Sequence, residues 1–158
     1  MKHRHELDSI DFTILKVLQE RARTKRSELA EETGLSVPAI SDRLKHLEDS
    51  GVVKNYCAVV NHKKLGFDVT AFIAVTVDSS THYENFLTKV SDTGEIIECH
   101  AITGEGTHLL KVRTKNTAAL ERLLSLIQSW GGVVKTTTRV VLSSPKETTR
   151  IPVEVKNE

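Results

Sequence analysis

The stretch Ser27–Gly51, SELAEETGLSVPAISDRLKHLEDSG, constrains the fold more than any other part of the chain. It reads as two short helices joined by a tight turn. Ser27 is placed to cap the first helix, and Gly34 to end it in the left-handed conformation that glycine adopts at little cost. Ser36 is placed to cap the second. Pro38 falls in its first turn, where a missing N–H costs little, and Gly51 closes it. Two helices with a Gly-containing turn of about 3–4 residues make a helix-turn-helix. At about 100° per residue, Ile40, Leu44 and Leu47 share one stripe of the second helix. That stripe predicts packing on Leu29 and on the helix before it.

The opposite face decides what such a hairpin can do. Pro38, Ala39, Ser41, Asp42, Lys45 and His46 point away from the stripe, and Ser36 and Val37 open the same helix. Small residues near the N-terminal end let a helix enter a major groove, which is about 12 Å wide. Arg43 lies on the flank, placed either to hold a phosphate or to pair with a nearby acid. The alternative reading is an ordinary helical hairpin with a solvated face. Local charge favours the first. Arg21, Arg23, Lys25 and Arg26 precede the hairpin, and Lys54, Lys63 and Lys64 follow it, positions suited to phosphate contacts. Net charge adds nothing, because residues 1–64 carry 12 Lys and Arg against 10 Asp and Glu, and the whole chain is at +1.

The 158 residues suffice for one medium domain or two small ones. Cys57 and Cys99 have no metal-type or redox-type spacing and read as reduced, partly buried residues of a cytoplasmic protein. No run of about 18 apolar residues predicts a membrane span. The start, MKHRHELDS, lacks the apolar core of a signal peptide, and His3 and His5 within it carry little weight.

Asp8-Ser9-Ile10-Asp11 has the form of an N-cap with an acid three residues on. Leu7, Ile10, Ile14, Val17 and Leu18 then recur at helical spacing to about Arg21, giving a third helix to complete a small bundle. Val52, Val53, Tyr56, Ala58 and Val60 read as an extended wing or hinge strand, and Asn61 to Gly66 as a polar turn. The second half changes period. Thr70 to Val77 is a central strand, Thr81 to Glu84 a capping box opening a helix with Phe86, Leu87 and Val90 inward. Ile96 to Thr103 and Thr107 to Thr114 are strands around a Gly104-Glu105-Gly106 loop. Asn116 caps a second helix bearing Leu120, Leu123, Leu124 and Ile127, and Gly131-Gly132 leads into a strand over Val133 to Leu142. Residues from Ser143 onward read as an edge or a tail.

The expected fold is therefore α+β. A winged helix-turn-helix domain spans 1–60 and a hinge 61–68. A ferredoxin-like βαββαβ domain spans 69–145, and a tail 146–158. Both helices of the second domain lie on one sheet face. The other face is too apolar to be left to water, and a second copy of the same face is its cheapest cover. A homodimer would set two reading helices about 34–36 Å apart, on successive major grooves.

This organisation resembles the Lrp/AsnC family of bacterial and archaeal transcription regulators, the feast/famine regulatory proteins. The residues carrying the resemblance are Leu7-Asp8 with Asp11, Ile14-Leu15, Leu29-Ala30, Gly34-Leu35-Ser36, Arg43, Leu47-Glu48, Gly51-Val52 and Leu65-Gly66. Thr103-Gly104, Leu109-Leu110 and the Val133 to Leu142 strand carry it in the second half. No single piece is specific, but their order and spacing together are. The resemblance implies double-stranded DNA as partner of the Ser36–Ser50 helix, with Lys25 and Arg26 beside it. It implies homodimers that associate further into tetramers or octamers; the sequence itself carries no P-loop and no metal-binding motif, so no cofactor and no metal is expected. It also implies a small effector, usually an amino acid, near the loop between the second and third strands. Many members carry an aspartate flanked by aromatics there; this chain has Thr107 at the aspartate position, with Gly106 and His108 at the aromatic ones. The expected effector residues are Gly104, Glu105, Gly106, Thr107 and His108, with hydroxyls from Thr136, Thr137 and Thr138.

Two other readings fit the same layout. Siroheme decarboxylase subunits resemble it, so His100 and His108 on neighbouring strands are candidates for a heme or metal site of an enzyme. The other is an apo regulator that no small molecule touches.

Overall fold

The computed structural model describes residues 7–153. The chain forms two compact units: Met1–Val59 with Lys146–Glu158, and Val60–Pro145. His3 and His5 lie outside the described residues.

In the first unit α1 spans Ser9–Glu20, α2 Arg26–Thr33 and α3 Val37–Asp49. Asp8 and Asp11 build a reciprocal capping box at the start of α1, each carboxylate accepting the other's backbone N–H at 2.8 and 3.1 Å. Gly34 ends α2 with φ +71°, and Ser36 caps α3 by accepting the Ala39 N–H. The core is Ile14, Leu15, Leu29, Ala30, Ile40, Leu44 and Leu47, so the apolar stripe of α3 is buried as its spacing requires. Each fully buried aliphatic side chain contributes about 1.5–3 kcal/mol.

Three local expectations fail here. Ser27 does not cap α2; the Lys25 carbonyl accepts the first helical N–H, from Leu29, and the Lys25 side chain makes no cap bond. Residues 52–60 form no strand, because an extended segment gains nothing without a ladder partner. Val53 N–H instead donates to Leu47 O, and the Tyr56 hydroxyl donates to Glu48 at 2.9 Å. Cys57 is exposed, whereas Cys99 is half-buried. The segment from Lys146 returns to α1. The Gln19 amide donates to Ile151 O and accepts from Ile151 N, at 3.1 and 2.7 Å, and Arg150 pairs with Glu20.

The second unit begins with a 3₁₀ turn, His62–Leu65, followed by β1 (Val69–Val77), α4 (Tyr83–Asp92), β2 (Ile96–Ala101), β3 (His108–Thr114), α5 (Thr117–Gln128) and β4 (Val133–Val140). The sheet is antiparallel in the order β2-β3-β1-β4, the ferredoxin-like order. Ala71, Ile73, Val75 and Val77 of β1 alternate onto the helix-covered face with Leu110 and Val112 of β3. Phe86 and Val90 of α4 and Leu120, Leu123 and Ile127 of α5 complete the core with Trp130. Asn116 caps α5 through Ala119 N–H. Thr81 does not build a capping box; it lies in a 3₁₀ turn that Ser79 caps, and α4 starts after it. Leu87 faces outward, because the helix turns only Phe86 and Val90 onto the sheet.

Candidate functional site

The face of α3 opposite its buried stripe is open. Val37, Pro38, Asp42, Lys45 and His46 are exposed, and Ala39 and Ser41 are half-exposed. Ser36 and its hydrogen bond to Ala39 fix where this face begins. Lys25 and Arg26, at the start of α2, are exposed, as are Arg21 and Arg23. Lys54 is exposed on the same unit, whereas Lys63 and Lys64 belong to the second.

Arg43 takes the acid-pairing alternative. Its Nη1 lies 2.7 Å from Asp11 Oδ1 and 2.8 Å from Asp8 Oδ2. The guanidinium thus fastens α3 to the capping box of α1. Asp11 is buried, so its charge needs this partner. Burial pushes the Asp8 carboxyl up, but the Asp11 N–H and Arg43 outweigh it and hold the carboxyl below the usual carboxylate range. Asp8 and Asp11 are legible in the sequence as a cap. Their second use shows only in the fold, though a second carboxylate at a buried helix position already calls for a cation. Burial first, then Glu48, push the Tyr56 phenol up to about 12, so this side chain stays a neutral donor fastening the segment after α3.

The residues expected around an effector do not meet on one surface. Thr107 is spent on the sheet: its hydroxyl donates to Val75 O at 3.2 Å and accepts from Val77 N at 3.1 Å. These bonds bridge the β-bulge at Thr76/Val77, where β1 changes register against β4. His108 is buried under the helices, with ring centroids 4.8 Å from Phe86 and 4.9 Å from Tyr83. Burial pushes its imidazole pKa down. Thr136 accepts from Gln128 of α5 at 2.8 Å, and Thr138, opposite Ile73, shares that helix-covered face. Only Thr137 turns to the open face, where it donates to Glu105 at 3.1 Å. Arg139 lies 2.6 Å from the other Glu105 oxygen and, by its hydrogen bond and then that of Thr137, holds the Glu105 carboxyl below its ordinary range. Lys135 adds a longer contact at 4.0 Å. The sequence does not mark Arg139 and Lys135 as site residues, although period-2 alternation through Thr137 puts all three on one face. Gly104 and Gly106 have positive φ, and a Cβ on Gly106 would meet Val75 O at 3.0 Å.

His100 and His108 do not approach one another. Ala101 pairs with His108 and His100 with Leu109, so the two imidazoles project from opposite faces. Among the described residues no group of three His, Cys, Asp or Glu side chains could hold a metal ion. Among the same residues no helix is long and apolar enough to cross a membrane.

Comparison with known proteins fits this geometry. Residues 7–54 match the winged helix-turn-helix DNA-binding model, and residues 70–151 match the Lrp/AsnC ligand-binding domain. The chain belongs to the Lrp/AsnC family. It is a DNA-binding transcriptional regulator of the Lrp/AsnC type. HTH-type transcriptional regulator FL11 of Pyrococcus furiosus is 38% identical over 148 residues, 94% of this chain and 97% of that protein. Two solved Lrp/AsnC structures are similar throughout. Transcriptional regulator NMB0573 of Neisseria meningitidis, in complex with L-Met, superposes with a TM-score of 0.88 at 34% identity, covering 92% of this chain and 96% of that one. The feast or famine regulatory protein of M. tuberculosis complexed with L-methionine gives 0.87 at 31% identity, covering 94% and 99%. The relatives are transcriptional regulators, and the wing or hinge strand expected over 52–60 is not formed in this chain.

Proposed function

We propose that a homodimer of this chain reads a pseudo-palindromic operator in the cytoplasm, with one α3 in each of two successive major grooves. The exposed face of α3 supports this most directly: it is free of the core that buries Ile40, Leu44 and Leu47. Ser36, Val37, Pro38, Ala39, Ser41, Asp42, Lys45 and His46 meet the groove, and Lys25 and Arg26 meet phosphates. Arg43 acts through Asp8 and Asp11 as a positioning residue. The dimer forms through the sheet face that carries no helices. Phe72 and Leu109, either side of the buried Ala74, supply apolar contact there, within a charged surround of Glu98, Lys111 and Arg139. Further association to tetramers or octamers follows the family pattern. A gel shift on fragments of the source genome at two salt concentrations tests the reading. Binding that weakens steeply with salt while retaining preferred fragments supports it, and absent or salt-independent binding removes it.

The effector is an amino acid or a related metabolite, a reading supported by the L-methionine complexes of two family neighbours. Gly104, Glu105, Gly106 and Thr137 are its remaining candidates for direct contact, since Thr107, His108, Thr136 and Thr138 turn inward. A thermal shift across all amino acids tests it. Stabilisation by one or a few supports an effector, and no response from any supports a regulator without one.

A further inference from the structure

We propose that Asp42 sets the sequence specificity of the reading helix by accepting a hydrogen bond from the exocyclic amine of a cytosine. The proposal rests on the reading of α3 as the groove-inserted helix. At 100° per residue Asp42 lies 200° from Ile40, at the centre of the exposed face. It falls in the N-terminal half of α3, the part of such a helix that contacts base edges. Its carboxylate is exposed and pairs with no cation among the described residues, unlike the acids of the capping box. A negative charge at this place opposes the approach of any duplex, so it weakens sequence-independent binding. It is favourable only where a base presents a donor. In the major groove cytosine offers N4–H₂, whereas guanine offers two acceptors that a carboxylate repels.

The neighbouring groups agree with this choice. The Ser41 hydroxyl donates to Val37 O at 3.0 Å, so it too can only accept from a base. Ala39 and Pro38 are apolar. Past the Ser36 cap, the side chains in the N-terminal half of this face therefore present acceptors and methyl or methylene groups. An acid here gives specificity by repelling wrong partners, a gain that attractive contacts alone do not supply.

The test is selection of bound duplexes from a random-core pool by the full chain and by its Asp42→Ala and Asp42→Asn variants. Affinity for one arbitrary duplex is measured alongside. The wild-type chain should enrich a motif with cytosine at one fixed position in each half-site. Asp42→Ala should lose that cytosine preference, about 5- to 150-fold, and bind the arbitrary duplex severalfold more tightly. Asp42→Asn should move the preference toward adenine, which an amide can engage at N6 and N7. An Asp42→Ala motif identical to that of wild type overturns the proposal and leaves the groove reading of α3 standing. Failure of wild type to enrich any motif overturns both.

Discussion

Arg43 ties α3 to the start of α1 through two carboxylates. Its guanidinium satisfies two carboxylates, one buried, so Arg43→Ala leaves Asp11 charged and without its cation. Removing it should destabilise the first unit by about 2–3 kcal/mol, read as a lower denaturant midpoint with unchanged slope. The Asp8 carboxyl has its folded pKa below the unfolded value of about 3.9. Its contribution is thus fully present above that pH and is lost as pH falls through the folded value, and Asp8→Asn should remove this part of the acid dependence. His108 also has a depressed pKa. Near neutral pH its stability contribution is complete. As pH falls below about 6.5 the unfolded chain takes up a proton that the buried ring resists, so the second unit should melt earlier at pH 5.5 than at pH 8. A His108→Phe variant should flatten that difference. Residue identities made Ser36, Gly34 and Asn116 legible, because each satisfies backbone groups within its own turn. Thr107 was not legible in that way, since its partners Val75 and Val77 are 32 and 30 residues away in sequence.

At the scale of elements, helices α1, α3 and α5 and strands β1 and β3 follow from apolar spacing alone. The failures share one cause. Ser27, Thr81 and the segment 52–60 have the right local chemistry, but the neighbouring chain decides otherwise: a Lys25 carbonyl, a 3₁₀ turn capped by Ser79, and a missing strand partner. Alternation in β4 splits Thr136 and Thr138 from Thr137, which a list of adjacent hydroxyls conceals. The 104–107 loop depends on close backbone approach. Gly106→Ala would hold a Cβ at 3.0 Å from Val75 O with φ at +87°. Such a variant should lose about 1–3 kcal/mol of stability in the second unit, measured by thermal or denaturant unfolding.

The whole molecule joins a reading unit to a sheet unit, and each role needs a surface that the single chain leaves open. For the sheet, a charge placed among Phe72, Ala74 and Leu109 should disrupt self-association. Phe72→Lys, at a half-buried position of that face, is expected to shift the chain toward monomer in sedimentation and to weaken operator binding with it, because two half-sites are then no longer held together. For the reading unit, the family and the helix were legible in order and spacing, whereas the acid pairing of Arg43 needed three-dimensional contact between α1 and α3. The most direct measurement is operator affinity of the full chain and its Lys45→Ala variant across a salt series, with melting temperature followed in parallel. Lys45 lies exposed on the face opposite the core stripe, so its loss should weaken binding by about 1–3 kcal/mol if it contacts a base. If it contacts a phosphate, the loss should be smaller and the salt slope should fall by about one per protomer. In both cases the melting temperature should stay unchanged. Equal affinity and equal salt slope for the two proteins would contradict the account, because the duplex would then lie elsewhere than along α3.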